Sequence, residues 1–299
     1  ISFTMYWMIV NLMRHGRIEM TDYQSPRIRQ DATLTYKERM VALNEKIEAH
    51  EEWADKDVGH PYTFDNTCFG NLLLTHSVLE RTSLKECRWS DMDLSGSSFI
   101  ESDLSGSTMW DVDLTEADFT GANASNAFFN ESRFVLSILK GGNFSDCQMA
   151  ETFWHVADCR GANFKNSCFH ESNFRKCDFR DTDFTDANLY SSVFINVDFE
   201  DALLGGGFKQ HTTFINCNLR NTTFKDADLS YSSFYGCDLE NVDLTGATLT
   251  GVIGNGREIR TVQNKKGMVT HTDTASFKAD HPNKKDMSVH EDLGDEYEY

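Results

Sequence analysis

From Phe64 to Leu249 a large or apolar residue recurs at nearly every fifth position, through 38 consecutive pentads without an inserted or deleted residue. The centres begin Phe64, Phe69, Leu74, Leu79, Leu84, Trp89 and Leu94 and continue through Phe164, Phe169, Phe174, Phe179 and Phe184 to Leu249. Two residues before each centre lies a series of small side chains, among them Ser97, Ser102, Ala117, Ala122, Cys147, Ala162 and Thr182. Asp or Asn often stands between the two, as at Asp103, Asp118, Asn143, Asn163 and Asp178, where an Asx side chain can close a local turn. A period of five fits neither the 3.6 of a helix nor the 2 of a strand, so each pentad must supply one short extended side and a corner. Four corners close a square coil of twenty residues, which brings equivalent positions about 4.8 Å apart, the spacing of hydrogen-bonded strands.

The segments Ala117-Asp118-Phe119-Thr120-Gly121, Ala162-Asn163-Phe164-Lys165-Asn166 and Ala227-Asp228-Leu229-Ser230-Tyr231 resemble the unit of the pentapeptide-repeat family. The resemblance covers roughly three fifths of the chain. It implies an all-β solenoid, a right-handed quadrilateral β-helix, which the repeat length sets at about nine to ten coils and roughly 45 Å of rod at one strand spacing per coil.

Before the repeats, Tyr36, Met40, Leu43, Ile47 and His50 alternate by four and three, which predicts an amphipathic helix over about residues 35–53. Thr35 and Glu38 would form its capping box. Such a helix is expected to lie over the open end of the first coil and hide its strand edges. After Leu249 the register is expected to dissolve at Gly251, Gly254 and Gly256, leaving a polar, solvated tail, with a short capping strand around Ile259 to Val262 or a partner-binding tail as the alternative. The organisation expected is an N-terminal segment over 1–63 with the capping helix, a solenoid over 64–250 and a C-terminal polar tail over 251–299.

The net charge of −19 is carried mainly by the repeats, where Phe64 to Thr250 holds 28 acidic and 13 basic residues. Positions counted modulo twenty place Asp91, Asp111, Glu131, Glu151 and Glu171 in one column, and Asp158, Asp178, Asp198 and Asp238 in another. Lys140, Arg160, Arg180 and Arg220 form a basic column, and Ile195, Ile215 and Tyr235 an outward apolar one beside it. Like charges stacked one strand apart repel one another, so these columns are candidates for binding a protein partner. Direct nucleic-acid binding does not suit this net charge. Phe208 and Lys209 mark a register anomaly: Lys209 falls at an apolar centre, after Gly205, Gly206 and Gly207. A bulge or widened corner between Leu203 and His211 is expected, turning Phe208 inward or letting Lys209 reach out.

Cys87, Cys147, Cys177, Cys217 and Cys237 occupy the small inward position and Cys159 a centre, so they read as core residues of a cytoplasmic, reducing compartment. No metal, cofactor or disulfide framework is expected. His76, His155, His170 and His211 lie in columns that give no catalytic constellation, and no glycine-rich phosphate loop occurs. Met5 to Met13 is far shorter than the roughly 20 residues of a membrane span. The function expected is a non-enzymatic scaffold that presents a rigid acidic surface to a protein. Resemblance to the quinolone-resistance members of the family adds an alternative, a DNA mimic that modulates a type II topoisomerase such as gyrase. A structural component of a larger assembly is the third reading.

Overall fold

A computed structural model describes residues 36–56, 62–70, 72 and 74–254, with further strand residues at 257–258, 261–263 and 269–271. Two compact units divide the chain after Arg39, and the coil lies wholly in the second. Within it, residue i pairs in parallel with residue i+20, from Thr63 with Ser83 to Asp228 with Thr248. The protein is therefore a parallel β-solenoid whose large centres all point inward; Phe99, Phe119, Phe164, Phe179 and Phe199 are fully buried.

Many pentads close by the same device. The amide of the small residue donates to the carbonyl of the preceding centre, as in Ala122 to Phe119 at 3.0 Å and Ser167 to Phe164 at 3.2 Å. The corner residue between them takes a positive φ, 65° at Gly121 and 60° at Asn166, the signature of a type II turn. Asx residues reinforce the turn from outside: Thr120 N donates to Asp118 Oδ1 at 2.8 Å and Lys165 N to Asn163 Oδ1 at 3.0 Å. Inside, most of the small serines satisfy themselves across coils, Ser137 Oγ being an exception. Ser167 Oγ donates to Phe144 O at 2.6 Å and accepts from Cys147 N at 3.2 Å, so a polar residue sits in the core without an orphaned group.

The four faces are distinguished by their centres. On the first face the centres change from Leu74, Leu94 and Leu114 to Phe134, Trp154, Phe174, Phe194, Phe214 and Phe234. Where aromatic residues begin, three-residue strands begin: β1 (Arg133–Val135), β2 (Phe153–His155), β3 (Asn173–Arg175), β4 (Val193–Ile195), β5 (Thr213–Ile215) and β6 (Ser233–Tyr235). The rings stack along the axis, Phe174 on Phe194 at 4.4 Å and 9°, Phe194 on Phe214 at 5.1 Å and 9°. Regular strands thus cover about six turns rather than the nine to ten expected from repeat length; single-residue bridges at the same offset join the other pentads. Aromatic and β-branched residues favour the extended conformation, and this face joins six successive aromatic centres to Val135, Val193, Ile195, Thr213 and Ile215.

The N-terminal end is covered by α1 (Tyr36–Lys56), three residues longer at its C-terminus than expected. Thr35, half of the expected capping box, lies outside the described residues. Ile47, His50 and Trp53 are buried, and the ring of His50 meets that of Phe64 edge-on at 6.1 Å. Glu51 Oε1 accepts the amide of Val78 at 3.1 Å, so a helix carboxylate takes the place of a preceding coil. Lys46 Nζ lies 4.6 Å over the Phe64 ring.

At the other end the register outlasts its expected loss at Gly251. β7 (Ile253–Gly254) still pairs in parallel with β6, and β8 (Arg257–Glu258) folds back on it antiparallel. Instead of one capping strand around Ile259 to Val262, β9 (Thr261–Gln263) pairs with β10 (Val269–His271) in a separate two-stranded sheet.

Candidate protein-binding surface

The outward positions differ sharply between faces. On the second face, centred on Phe119, Leu139, Cys159, Phe179 and Phe199, the basic and acidic columns flank the same buried row. Arg160 donates from Nε and Nη2 to the two carboxylate oxygens of Asp158 at 2.9 and 2.8 Å, and its Nε lies 3.5 Å from Asp178 one coil on. Arg180 repeats this with Asp178 at 2.9 and 2.5 Å and with Asp198 at 3.7 Å. Lys140 meets Asp158 at 3.0 Å, and Arg220 meets Glu240 at 3.0 Å. Partial burial pushes the Asp158 carboxyl up, but Arg160 and Lys140 outweigh it and hold it at about 2. The basic column is thus not a free cationic stripe, because most of it is consumed by the neighbouring acids.

The third face carries a column of side-chain amides over its middle. Asn163 Nδ2 donates to Asn143 Oδ1 at 3.1 Å, Asn143 to Asn123 at 3.0 Å, and Asn123 to Asp103 at 3.1 Å, an amide ladder along the coil. On the first face Ile195 lies opposite Ile215, and Ile215 opposite Tyr235, in strand register. Tyr235 is exposed, and the two isoleucines are half-buried.

Asp91, Asp111, Glu131, Glu151 and Glu171 form the edge between the fourth and first faces. Every one is a corner residue with φ between 52° and 62°, and every one is exposed. Glu171 meets His170 at 3.1 Å. Among the described residues, no lysine or arginine pairs with the other four. The left-handed corner aims each carboxylate away from the coil, so the column persists as unneutralised charge.

The anomaly at Lys209 takes the form of an altered corner between Leu203 and His211, as expected, but without the expected side-chain movement. Phe208 stays outside, 61% exposed, while Lys209 stays inside at 0%. The corner is what changes: Gly206 and Gly207 both take positive φ, 57° and 60°, and the Lys209 ammonium donates to Gly206 O at 2.8 Å and Ala187 O at 3.1 Å. A Cβ on Gly207 would lie 2.4 Å from Ala187 O, so only glycine allows the main chain this close. Burial lowers the Lys209 ammonium to about 7, opposed by the nearby Asp186 carboxylate. Carbonyl oxygens, which the sequence pattern does not display, make the inward lysine tolerable.

The cysteines and histidines fall apart as chemical groups. Burial pushes the thiols of Cys87, Cys147 and Cys177 up to about 12, well above the range of a reactive thiolate. His155 and Lys176 lie on the first face and its corner, whereas His170 and His211 flank the fourth. Among the described residues no cluster of His, Cys, Asp and Glu is spaced to hold a metal ion, and no helix is long and apolar enough to cross a membrane.

Modulo-twenty counting places columns but does not by itself say which share a face. Positions 158 and 160 flank one centre and so lie side by side, a signal that was available. The outward rings of Trp110, Phe128, Tyr190 and Tyr231 were harder to group because they occupy three different columns.

A model for pentapeptide repeats matches in eight copies over residues 73–111, 113–149, 143–181, 167–206 and 210–253. A search of the curated proteins finds no match. Among solved structures the chain is similar to HetL, a pentapeptide repeat protein involved in heterocyst differentiation regulation in the cyanobacterium Nostoc, at 17% identity over 66% of this chain and 89% of that one, with TM-score 0.29. A trypsin-treated variant of QnrB1, a plasmid-mediated fluoroquinolone resistance protein, is 17% identical over 64% and 88%, with TM-score 0.34. A pentapeptide repeat protein of the Arabidopsis thaliana thylakoid lumen is 17% identical over 45% and 74%, with TM-score 0.22.

Proposed function

The chain belongs to the pentapeptide-repeat family, and from that premise we propose that it acts as a non-enzymatic scaffold, presenting one edge of a rigid coil to a protein partner. The observation that carries this reading is the contrast between two acidic columns. Asp158, Asp178 and Asp198 are matched by Lys140, Arg160 and Arg180 on their own face, whereas Asp91, Asp111, Glu131 and Glu151 are exposed and unpaired among the described residues. A folding benefit would call for counter-ions, so the bare edge is better explained by binding. In this reading residues 64–250 are the scaffold, 1–63 and 251–299 flank it, and the free buried thiols suit a reducing cytoplasm.

Affinity capture from the native host, with and without Asp111, Glu131 and Glu151 reversed to Lys, tests the proposal. Loss of the captured proteins on reversal supports it, and an unchanged set overturns it. A second reading, a DNA mimic acting on a type II topoisomerase, draws on the same edge and gains from the neutralised basic column, which leaves less free positive charge on the surface than the sequence suggests. Titration of gyrase supercoiling with the purified protein separates the two, since a general scaffold has no effect there at micromolar excess.

A further inference from the structure

The acidic edge borders Trp110 and Phe128 and is continued, beyond Glu171, by His211 and Tyr231. Of the large side chains that stand exposed on the coil, Trp110, Phe128 and Phe208 lie on the fourth face and Tyr231 on its edge, at 53%, 45%, 61% and 58%. Two further rings join them. Tyr190 meets His211 edge-on at 5.5 Å, and His211 stacks on Tyr231 at 5.2 Å and 16°. Other coils carry Gln148, Asn188 or Asp228 where Phe128 and Phe208 stand, so the repeat itself does not demand rings there. Cationic groups are scarce: Arg88 is the one lysine or arginine at the described outward positions of this face and edge.

Resting on the scaffold reading, we propose that the fourth face and its acidic edge bind an extended arginine-rich segment of the partner, laid along the coil axis. Charge complementarity selects the occupant. The edge offers a row of carboxylates that accept from guanidinium N–H groups, and the face beside it offers rings on which a planar guanidinium stacks. Neither a polyanion nor a purely apolar helix matches that combination. From Trp110 to Tyr231 the surface spans six coils, about 29 Å at one strand spacing per coil, which an extended segment of about nine residues covers. Arginine is preferred over lysine, because an ammonium gains the ionic contacts but little of the stacking.

Fluorescence anisotropy with labelled nona-arginine and nona-lysine tests this on the full chain. The expected result is at least tenfold tighter binding of nona-arginine, weakened in both probes when Asp111, Glu131 and Glu151 become Asn, Gln and Gln. Replacing Trp110, Phe128 and Tyr231 by Ala should abolish the arginine preference while leaving nona-lysine binding within about twofold; these positions are outward, and thermal melts of each variant verify folding. Equal affinity for the two probes, or an arginine preference that survives the triple Ala variant, overturns the proposal. If nona-arginine does not bind while host proteins are still captured through the acidic edge, the inference falls and the scaffold stands. If capture also ignores the edge, both fall.

Discussion

The guanidinium of Arg160 grips Asp158 on its own coil at 2.8 Å and reaches Asp178 on the next at 3.5 Å, so one side chain ties two turns of the solenoid together. Arg180 does the same for Asp178 and Asp198. Charges that would repel as separate columns become an alternating ladder once the fold sets them two residues apart on one face.

That ladder predicts an acid transition. Asp158 is held at about 2, below its ordinary value near 3.8, so its stabilising contribution is present above pH ~4 and is lost as pH falls through about 2. The site is largely solvated, which limits the effect to below about 1 kcal/mol. Urea denaturation at pH 6 and pH 1.5 should show Asp158→Asn destabilised at the higher pH and nearly equal to the parent at the lower. An identical difference at both would remove the electrostatic account.

Lys209 titrates with the opposite sense. Its ammonium is lowered to about 7 in the fold against 10.5 in the unfolded chain, so between those values the unfolded state holds more protons and stability rises with pH. Below pH 7 the burial cost is fully present. Lys209→Met should raise stability at pH 6 by ~2–4 kcal/mol, in line with replacing buried charge by apolar volume, and the gain should shrink towards pH 10. Denaturation midpoints at pH 6, 8 and 10 measure it; a pH-independent difference would contradict a buried titrating lysine.

Two glycine corners should respond differently to a methyl group. Gly161 has φ +66° with nothing within 4 Å of an added Cβ, so Gly161→Ala costs only the left-handed backbone, ~1 kcal/mol. Gly207, with Ala187 O at 2.4 Å, must shift its main chain, and Gly207→Ala should cost at least ~3 kcal/mol. Equal melting temperatures in the two variants would mean that the corner at Gly207 has room to relax.

The ring column offers a core test. Phe194 is sandwiched by Phe174 at 4.4 Å and Phe214 at 5.1 Å, and Phe194→Ala should cost ~3–5 kcal/mol. Phe128→Ala, on the outside, should change stability by less than ~0.5 kcal/mol. Comparable losses at the two sites, read by urea denaturation, would contradict the assignment of inner and outer positions.

The repeat period by itself determined the coil, because an uninterrupted spacing of five allows one stacking register only, and every large centre from Phe69 to Phe234 other than the flagged Lys209 could be assigned inward from it. Column membership was equally legible, including the edge from Asp91 to Glu171. What the linear pattern could not decide was how neighbouring columns interact. Whether Arg160 stays free or folds onto Asp158 and Asp178 depends on side-chain reach across coils. Whether Lys209 leaves the core or stays depends on the carbonyls of Ala187 and Gly206, which become available only when the glycine corner bends towards it. Periodicity encodes direction, inward or outward, because that is set locally by the backbone. Pairing, neutralisation and the placing of Trp110 and Phe128 beside the acidic edge, with Tyr190, His211 and Tyr231 clustered beyond it, are properties of three-dimensional adjacency, and only the tertiary structure supplied them.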